Sequence, residues 1–310
     1  MSSKKYIESS SPHIHADIST KIIMKDVIIA LMPALFASIY FFGIRALIIT
    51  LLSVVACVLG EMIWQKLFHK QSTINDLSTV VTGILLAFCL PPTVPYYIPI
   101  IGGFFAIIIV KQVFGGIGRN FLNPALAARA FLMATWPASM AKWTLDGVSA
   151  ATPLETIKNI SVGLPQIKNV FLGHTGGSIG ETSCLALIIG GIYLLYKGVI
   201  TWKIPATYIG TVFILSFLFG NDAFSINYAL YQIFSGGLFL GAIYMATDYT
   251  TSPVTPKGQY IMGIGCGILT WILRSVAQTP EGVAYSILIM NMFVPMIERH
   301  TIPKVFGEVE

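Results

Sequence analysis

Four ionisable side chains lie within or at the ends of long apolar runs: Glu61, Arg129, Asp248 and Arg274. Charge at membrane depth is costly, so such a residue lines an ion path, pairs with another charge or holds a ligand. Arg274 and Glu61 stand near run ends, where a long side chain snorkels to the interface. Arg129 and Asp248 do not fit that account; an ion path, a contact with another subunit, a cofactor or an internal ion pair remain open for them. A second polar group is Gly115-Gly116-Ile117-Gly118-Arg119-Asn120-Phe121-Leu122-Asn123-Pro124-Ala125. Asn123 and Pro124 read as a helix start, an amide cap followed by proline at the first helical position. That leaves Arg119 and Asn120, whose guanidinium and amide groups can hydrogen-bond a polar ligand or a headgroup. The third is Asp146-Gly147-Val148-Ser149-Ala150-Ala151-Thr152-Pro153-Leu154-Glu155. On local physics it is a capping box, with Thr152 as cap, Pro153 behind it and Glu155 reaching back.

The elements that carry these residues are membrane helices. Lys and Arg (19) with Asp and Glu (14) make up only 11% of the 310 residues, the hydrophobic fraction is 55%, and the mean hydropathy is +0.76. Soluble domains carry roughly 25% charged residues, so a soluble enzyme and a disordered chain are both excluded. Ten apolar runs follow: Val27–Phe42, Ala46–Trp64, Leu77–Leu90, Tyr97–Phe114, Pro124–Trp136, Thr182–Tyr196, Ile204–Phe219, Tyr228–Thr247, Gln259–Val276 and Val283–Ile297. The expected fold is an all-α integral membrane protein of about ten transmembrane helices. Its divisions are an N-terminal tail (1–25), a first five-helix half (26–137), a connection (138–180), a second five-helix half (181–298) and a C-terminal tail (299–310).

Ten spans place both termini on one side. With the N-terminus inside, 13 Lys/Arg fall on inner segments and five, Arg45, Lys142, Lys158, Lys168 and Arg274, on outer ones. The positive-inside rule therefore places both tails in the cytoplasm and the Thr152 connection outside. Five helices per half is odd, so equivalent halves would be inverted. A faint echo links Thr82-Gly83-Ile84-Leu85-Leu86 with Ser235-Gly236-Gly237-Leu238-Phe239, each leading to a Pro/Thr-rich turn. The net charge of +5 is dispersed and forms no nucleic-acid stripe. Met1 to Lys21 lacks the apolar core of a cleavable signal. Cys57, Cys89, Cys184 and Cys266 sit in apolar runs without metal-ligand spacing and read as filler. The five histidines lie in the tail and loops and form no helical ligand pair.

Asp146-Gly147-x-Ser149-x-Ala151-Thr152 resembles the flavinylation motif of membrane redox complexes. With it, Ser11-Pro12-His13, Leu90-Pro91-Pro92, Gly118–Pro124, Ser149–Leu154 and Ala246-Thr247-Asp248 make nearly the whole chain resemble one family. It comprises the RnfD-type membrane subunits of Rnf ion-translocating ferredoxin:NAD oxidoreductases and their homologues in sodium-translocating NADH:quinone reductases. Ala150 departs from the glycine frequent there and costs one methyl of room. The resemblance implies FMN attached to Thr152 through a phosphoester by a dedicated FAD-dependent FMN transferase. The small residues Gly147, Ala150 and Ala151 suit entry into that enzyme, and a phosphate on a cap oxygen suits a helix N-terminus. It also implies a noncovalent riboflavin, for which Asn120, Asn123 and Arg119 are the positions carried over, and two inverted halves of urea-transporter type. Further implied are partner subunits bearing iron–sulfur clusters and flavin, residence in the prokaryotic cytoplasmic (inner) membrane, and coupling to Na⁺ or H⁺ with Asp248, Glu61 and Arg129 as ion-path candidates. A passive channel or solute transporter of inverted-repeat type is the alternative.

Overall fold

The structure is a computed structural model and describes residues 19–70, 72–145, 148–149, 154, 166–220, 224–276 and 282–302. The Ser19 hydroxyl accepts the Ile22 N–H and starts α1 (Thr20–Phe42). One residue, Gly43, turns the chain into α2 (Ile44–Leu67). Its φ of +69° with ψ of −164° belongs to a region that glycine alone visits cheaply. The two longest helices thus form a hairpin without a loop. α3 (Ser78–Phe88) stops ahead of Pro91-Pro92, which bring no N–H donors. α4 (Tyr97–Phe104) passes into π-helical turns over Phe105–Gln112. There the Val113 N–H donates to the Ile108 carbonyl and the Gly116 N–H to the Lys111 carbonyl, five residues back. α5 (Pro124–Thr135) begins as expected, with the Asn123 side-chain oxygen accepting the N–H groups of Ala125 and Leu126.

After the connection come α6 (Cys184–Tyr196), α7 (Lys203–Phe219), α8 (Ile226–Phe234), α9 (Leu238–Met245), α10 (Pro256–Val276) and α11 (Val283–Thr301). The run expected as one helix, Tyr228–Thr247, is instead two, α8 and α9, bent by 64°. The apolar run continues on both sides of the break and does not show the bend; Gly236, at φ +68°, stands at it. α9 is itself π-helical over Gly241–Met245, with the Ala246 N–H donating to the Gly241 carbonyl. Among the described residues the only regular departure from helix is a pair of two-residue antiparallel strands. Thr144–Leu145 pairs with Val148–Ser149, Leu145 opposite Val148.

Burial is inverted relative to a water-soluble protein. α10 exposes Ile261, Ile264, Ile268 and Ile272, one apolar stripe at helical spacing, while Glu61, Lys111, Arg129, Arg274 and Asn291 are buried. Such a surface suits a hydrocarbon solvent. α1 and α2 are long and apolar enough to cross a membrane, and the bent α8–α9 pair is a third if taken as one span. α3, α4 with its π-helical extension, α5, α6 and α7 are shorter apolar helices. α2 packs on α3 and α4; α7 packs on α8 and α10; α1 meets α6, and α5 meets α11. All four cysteines are buried and unbridged.

Candidate functional site

A cavity opens at the end of the bundle that carries Thr20 and Leu67. It holds about 740 Å³ of empty space, open solvent at its mouth included. Its walls are apolar, with Val27, Val81, Leu85 and Leu194 among them, and its polar groups are few: Lys111, Asn120, Asn123 and Asp248 with neighbouring hydroxyls. Sequence positions far apart converge here. The Asn120 amide donates to the Leu122 carbonyl and to the Thr250 hydroxyl, both at 3.1 Å. The Thr250 hydroxyl donates to Asp248 Oδ2 at 2.9 Å, and the Thr251 hydroxyl does so at 3.3 Å. Asp248 lies in the turn beyond α9. Burial pushes its carboxyl above the ordinary carboxylate range, and the Thr250 and Thr251 hydrogen bonds oppose that rise.

Asn123 is a framework residue of this cavity. Its oxygen caps α5, and its amide nitrogen donates to the Met245 carbonyl at 3.4 Å. Asn291 of α11, 1% exposed, binds both loops. With its amide turned to suit its neighbours, it donates to the carbonyls of Ile287 (3.2 Å) and Thr251 (3.0 Å) and accepts the Asn123 N–H (3.1 Å). From the π-helical part of α9, the Tyr244 hydroxyl is shared between the carbonyls of Ala30 (3.1 Å) and Leu187 (3.0 Å), which ties α9 to the adjoining helices α1 and α6. Arg119 is exposed, folds over Gly115 and is not part of the lining.

Behind the cavity wall lies a closed charge network. Glu61 does not snorkel: it is fully buried, and Lys111 Nζ stands 3.3 Å from its Oε2. Its Oε1 accepts from Gln65 (3.0 Å), Thr73 (2.6 Å) and Gln112 (2.9 Å). Lys111 also donates to the Ser78 hydroxyl at 2.6 Å. Lys111 and Gln112 are consecutive, and the π-helical turns let both meet one carboxylate. π-Helical turns are rare and concentrate at functional sites; here both stretches border one cavity, through Lys111 and through Ile243 and Tyr244.

The opposite end holds a second buried group. Arg129 Nη1 lies 3.6 Å from Glu181 Oε1. Arg274, expected to snorkel, is instead 5% exposed and donates to the backbone carbonyls of Gln232 and, at 3.1 Å, Ser235. Those carbonyls lie at the α8 break, where helix hydrogen bonding stops, so they accept from the buried guanidinium instead. A Cβ on Gly237 would lie 2.5 Å from Glu181 Oε1, so any larger residue there would have to displace the Glu181 carboxylate.

Of the flavinylation-motif residues, Asp146, Gly147, Ala151 and Thr152 lie outside the described residues, and Ser149 ends the second short strand. Leu154, two positions beyond Thr152, is buried against Gly236 at the α8 break. In the sequence reading Lys111 falls inside the run Tyr97–Phe114 as an inner-side cation and Glu181 stands just ahead of the run Thr182–Tyr196, and neither was singled out. A signal existed for Lys111, which in the expected topology lies on the same side as Glu61.

The NQR2, RnfD, RnfE family matches residues 7–307 of the chain. The chain belongs to this family. The RnfD-type subunit of the Na⁺-translocating ferredoxin:NAD⁺ oxidoreductase complex of Acetobacterium woodii is 50% identical, over 96% of this chain and 94% of its own length. Its counterpart in the proton-translocating ferredoxin:NAD⁺ oxidoreductase complex of Clostridium ljungdahlii is 43% identical, over 96% and 95%. The counterpart in the ion-translocating oxidoreductase complex of Shewanella amazonensis is 34% identical, over 96% and 97%. The two most similar of these three family members differ in the ion named for their complexes, so membership alone does not select the ion.

Proposed function

We propose that the chain is the flavin-carrying membrane subunit of an ion-translocating ferredoxin:NAD oxidoreductase complex of Rnf type. The observation that carries this is near-full-length similarity to RnfD-type proteins, at 50% identity for the first, in a chain that also holds Asp-Gly-x-Ser-x-Ala-Thr at 146–152. FMN is joined to Thr152 as a phosphoester by an FAD-dependent FMN transferase. A bound flavin supplies one- and two-electron exchange, while the protein sets its position and potential. A hydrocarbon core of about 30 Å is too thick for one efficient hop, so partner subunits with iron–sulfur clusters and flavin complete the relay.

The cavity at the Thr20 end suits a second, noncovalent flavin, riboflavin by resemblance. Apolar walls accept the ring system, and Asn120 and Lys111 are polar groups in the lining. Asn123 shapes the cavity, its own amide being spent on the α5 cap and on Met245. Asp248 on the wall, and Glu61 behind it through Lys111, are the residues for an ion path, and Arg129 with Glu181 marks its far end. The fold is ten spans in two inverted halves of urea-transporter type, in the cytoplasmic membrane, with both termini inside and the Thr152 connection outside. In support, α2 with α3 and α4 repeats the packing of α7 with α8 and α10, and the contacts of α1 with α6 and of α5 with α11 join equivalent helices of the two halves.

The test is Thr152→Val in the intact complex. The wild-type chain is expected to keep flavin fluorescence on a denaturing gel, and the variant to lose it. Fluorescence unchanged in the variant refutes attachment at Thr152. Solute flux through the isolated chain in liposomes, without any chromophore, would favour the channel reading instead.

A further inference from the structure

Lys111 joins the cavity to the charge network behind it. It is the only cation among the described residues that line the cavity, and its partner Glu61 lines none of it. The pair is therefore an oriented dipole with its positive end toward the cavity. Both members are buried, Lys111 at 3% and Glu61 at 0% exposure, so water screens them little and the lysine charge acts over several ångströms. The ammonium has three N–H donors. One goes to Glu61 Oε2 at 3.3 Å and one to the Ser78 hydroxyl at 2.6 Å, which leaves one without an acceptor among the described residues. Ser78 also lines the cavity and donates in turn to Asp76 Oδ1 at 2.6 Å. The one acid in the lining is Asp248. Burial raises its carboxyl most, and the Lys111 charge is among the influences that lower it, so the ammonium is felt at the cavity wall. Glu61 does not depend on Lys111 alone, because Gln65, Thr73 and Gln112 all donate to its Oε1. Burying an ammonium beside a carboxylate already served by three neutral donors costs desolvation that the pair offsets only in part. A cation kept at an apolar-walled cavity on those terms answers to negative charge that arrives there.

We propose that Lys111 stabilises the negative charge that the noncovalent flavin of this cavity takes on when reduced, and that Glu61 sets how much of the lysine charge the cavity receives. The inference rests on the flavin occupancy proposed above and adds which residue of the chain sets the potential. Two-electron reduction with uptake of one proton leaves one negative charge on the ring system. The electrons come from the reduced iron–sulfur or flavin carriers of the partner subunits, and the proton comes from water. Among apolar walls such a charge is costly unless it is paired. With Lys111 in the lining the reduced form is held more tightly than the oxidised one, and by linkage a tighter reduced form is a raised potential. The lysine acts through charge and position, and the electron exchange belongs to the flavin.

The experiment is a redox titration of the intact complex followed by flavin absorbance, with acid-released riboflavin counted by chromatography. The riboflavin component is the one lost when the complex is depleted of it. Lys111→Met is expected to lower the potential of that component, and Lys111→Arg to hold it closer to wild type. The double variant Glu61→Gln/Lys111→Met leaves neither member of the pair charged, so it decides where Lys111→Met does not fold. Its potential is also expected to fall, by less than in Lys111→Met because the carboxylate behind the lysine is gone as well. Rebinding of riboflavin to depleted complex reads the same quantity: the preference for the reduced over the oxidised form falls by about tenfold in the double variant, or about 30 mV for a two-electron couple. A purely structural role for Lys111 lowers stability and leaves the potential where it was. An unchanged or raised potential in the double variant therefore overturns the proposal. Wild-type complex that releases no riboflavin and binds none when it is added removes the occupancy itself, an outcome distinct from bound riboflavin whose potential ignores Lys111.

Discussion

Neutralising Glu61 isolates a buried lysine. In Glu61→Gln the new amide keeps the shape, and its oxygen can still accept from Gln65, Thr73 and Gln112. The lost atom is Oε2, the partner of Lys111 at 3.3 Å. Lys111, 3% exposed, then has only the Ser78 hydroxyl, with an amide N–H₂ turned toward its ammonium. Removing one member of a buried pair costs about 3–5 kcal/mol, whereas replacing both members by neutral groups is often close to neutral. At roughly 2 °C per kcal/mol for a chain of this size, Glu61→Gln is expected to lower the thermal midpoint in detergent by about 6–10 °C. Lys111→Met strands the carboxylate and is expected to do the same. The double variant Glu61→Gln/Lys111→Met should recover more than half of either loss. The assay is the monodisperse fraction after heating, for all four proteins of the cycle. Additive losses in the double variant would refute the pairing, and so would a Glu61→Gln midpoint within about 1–2 °C of wild type, well short of the loss expected for a broken buried pair.

Three further substitutions probe the frame. Gly237→Ala puts a methyl 2.5 Å from Glu181 Oε1, and a loss of about 1–3 kcal/mol from overpacking is expected in the same heating assay. Asn291→Leu leaves the Asn123 N–H and the Thr251 carbonyl without their partner; about 1–3 kcal/mol per group is expected, and Asn291→Asp should not restore it because the carbonyls lose their donor. Asn120→Ala should lower the noncovalent flavin released from native complex by acid while leaving the in-gel fluorescence of the chain unchanged; equal release from variant and wild type would remove Asn120 from the cavity's binding groups.

Much of the fold was legible because its signals are local. The Asn123-Pro124 start of α5 follows from one cap and one proline, and the structure keeps it to the residue. The run Ile204–Phe219 matches α7 to within one residue and stops at Gly220, and Val283 opens α11 as expected, although α11 continues past Ile297 through the charged Glu298-Arg299 to Thr301. The break between α8 and α9 was illegible, since Gly236-Gly237 sits inside an apolar run that continues on both sides and nothing local fixes the 64° angle between the two helices. The π-helical stretches were equally hidden: a hydrogen bond to the fifth residue back rather than the fourth leaves no mark in composition. Through them the site acquires Lys111 and Tyr244, which no motif pointed to. Glu61 and Arg274 were misread for one reason. Depth along a helix suggests snorkelling, but only the partner helix shows whether a buried acid or carbonyl waits there.

Arg274 and the Gly236-Gly237 break are a single unit of inheritance. An unbroken helix would bond its own carbonyls and leave the guanidinium a stranded charge, while a broken helix without the guanidinium would leave the Gln232 and Ser235 carbonyls bare in hydrocarbon. Either change alone leaves a buried polar group without its partner, at about 1–3 kcal/mol per group, so descent is expected to preserve the arginine and the glycine pair together or replace them together. A homologue with one but not the other should carry a substitute donor on the helix equivalent to α10, and the family tree becomes a record of how this break was kept.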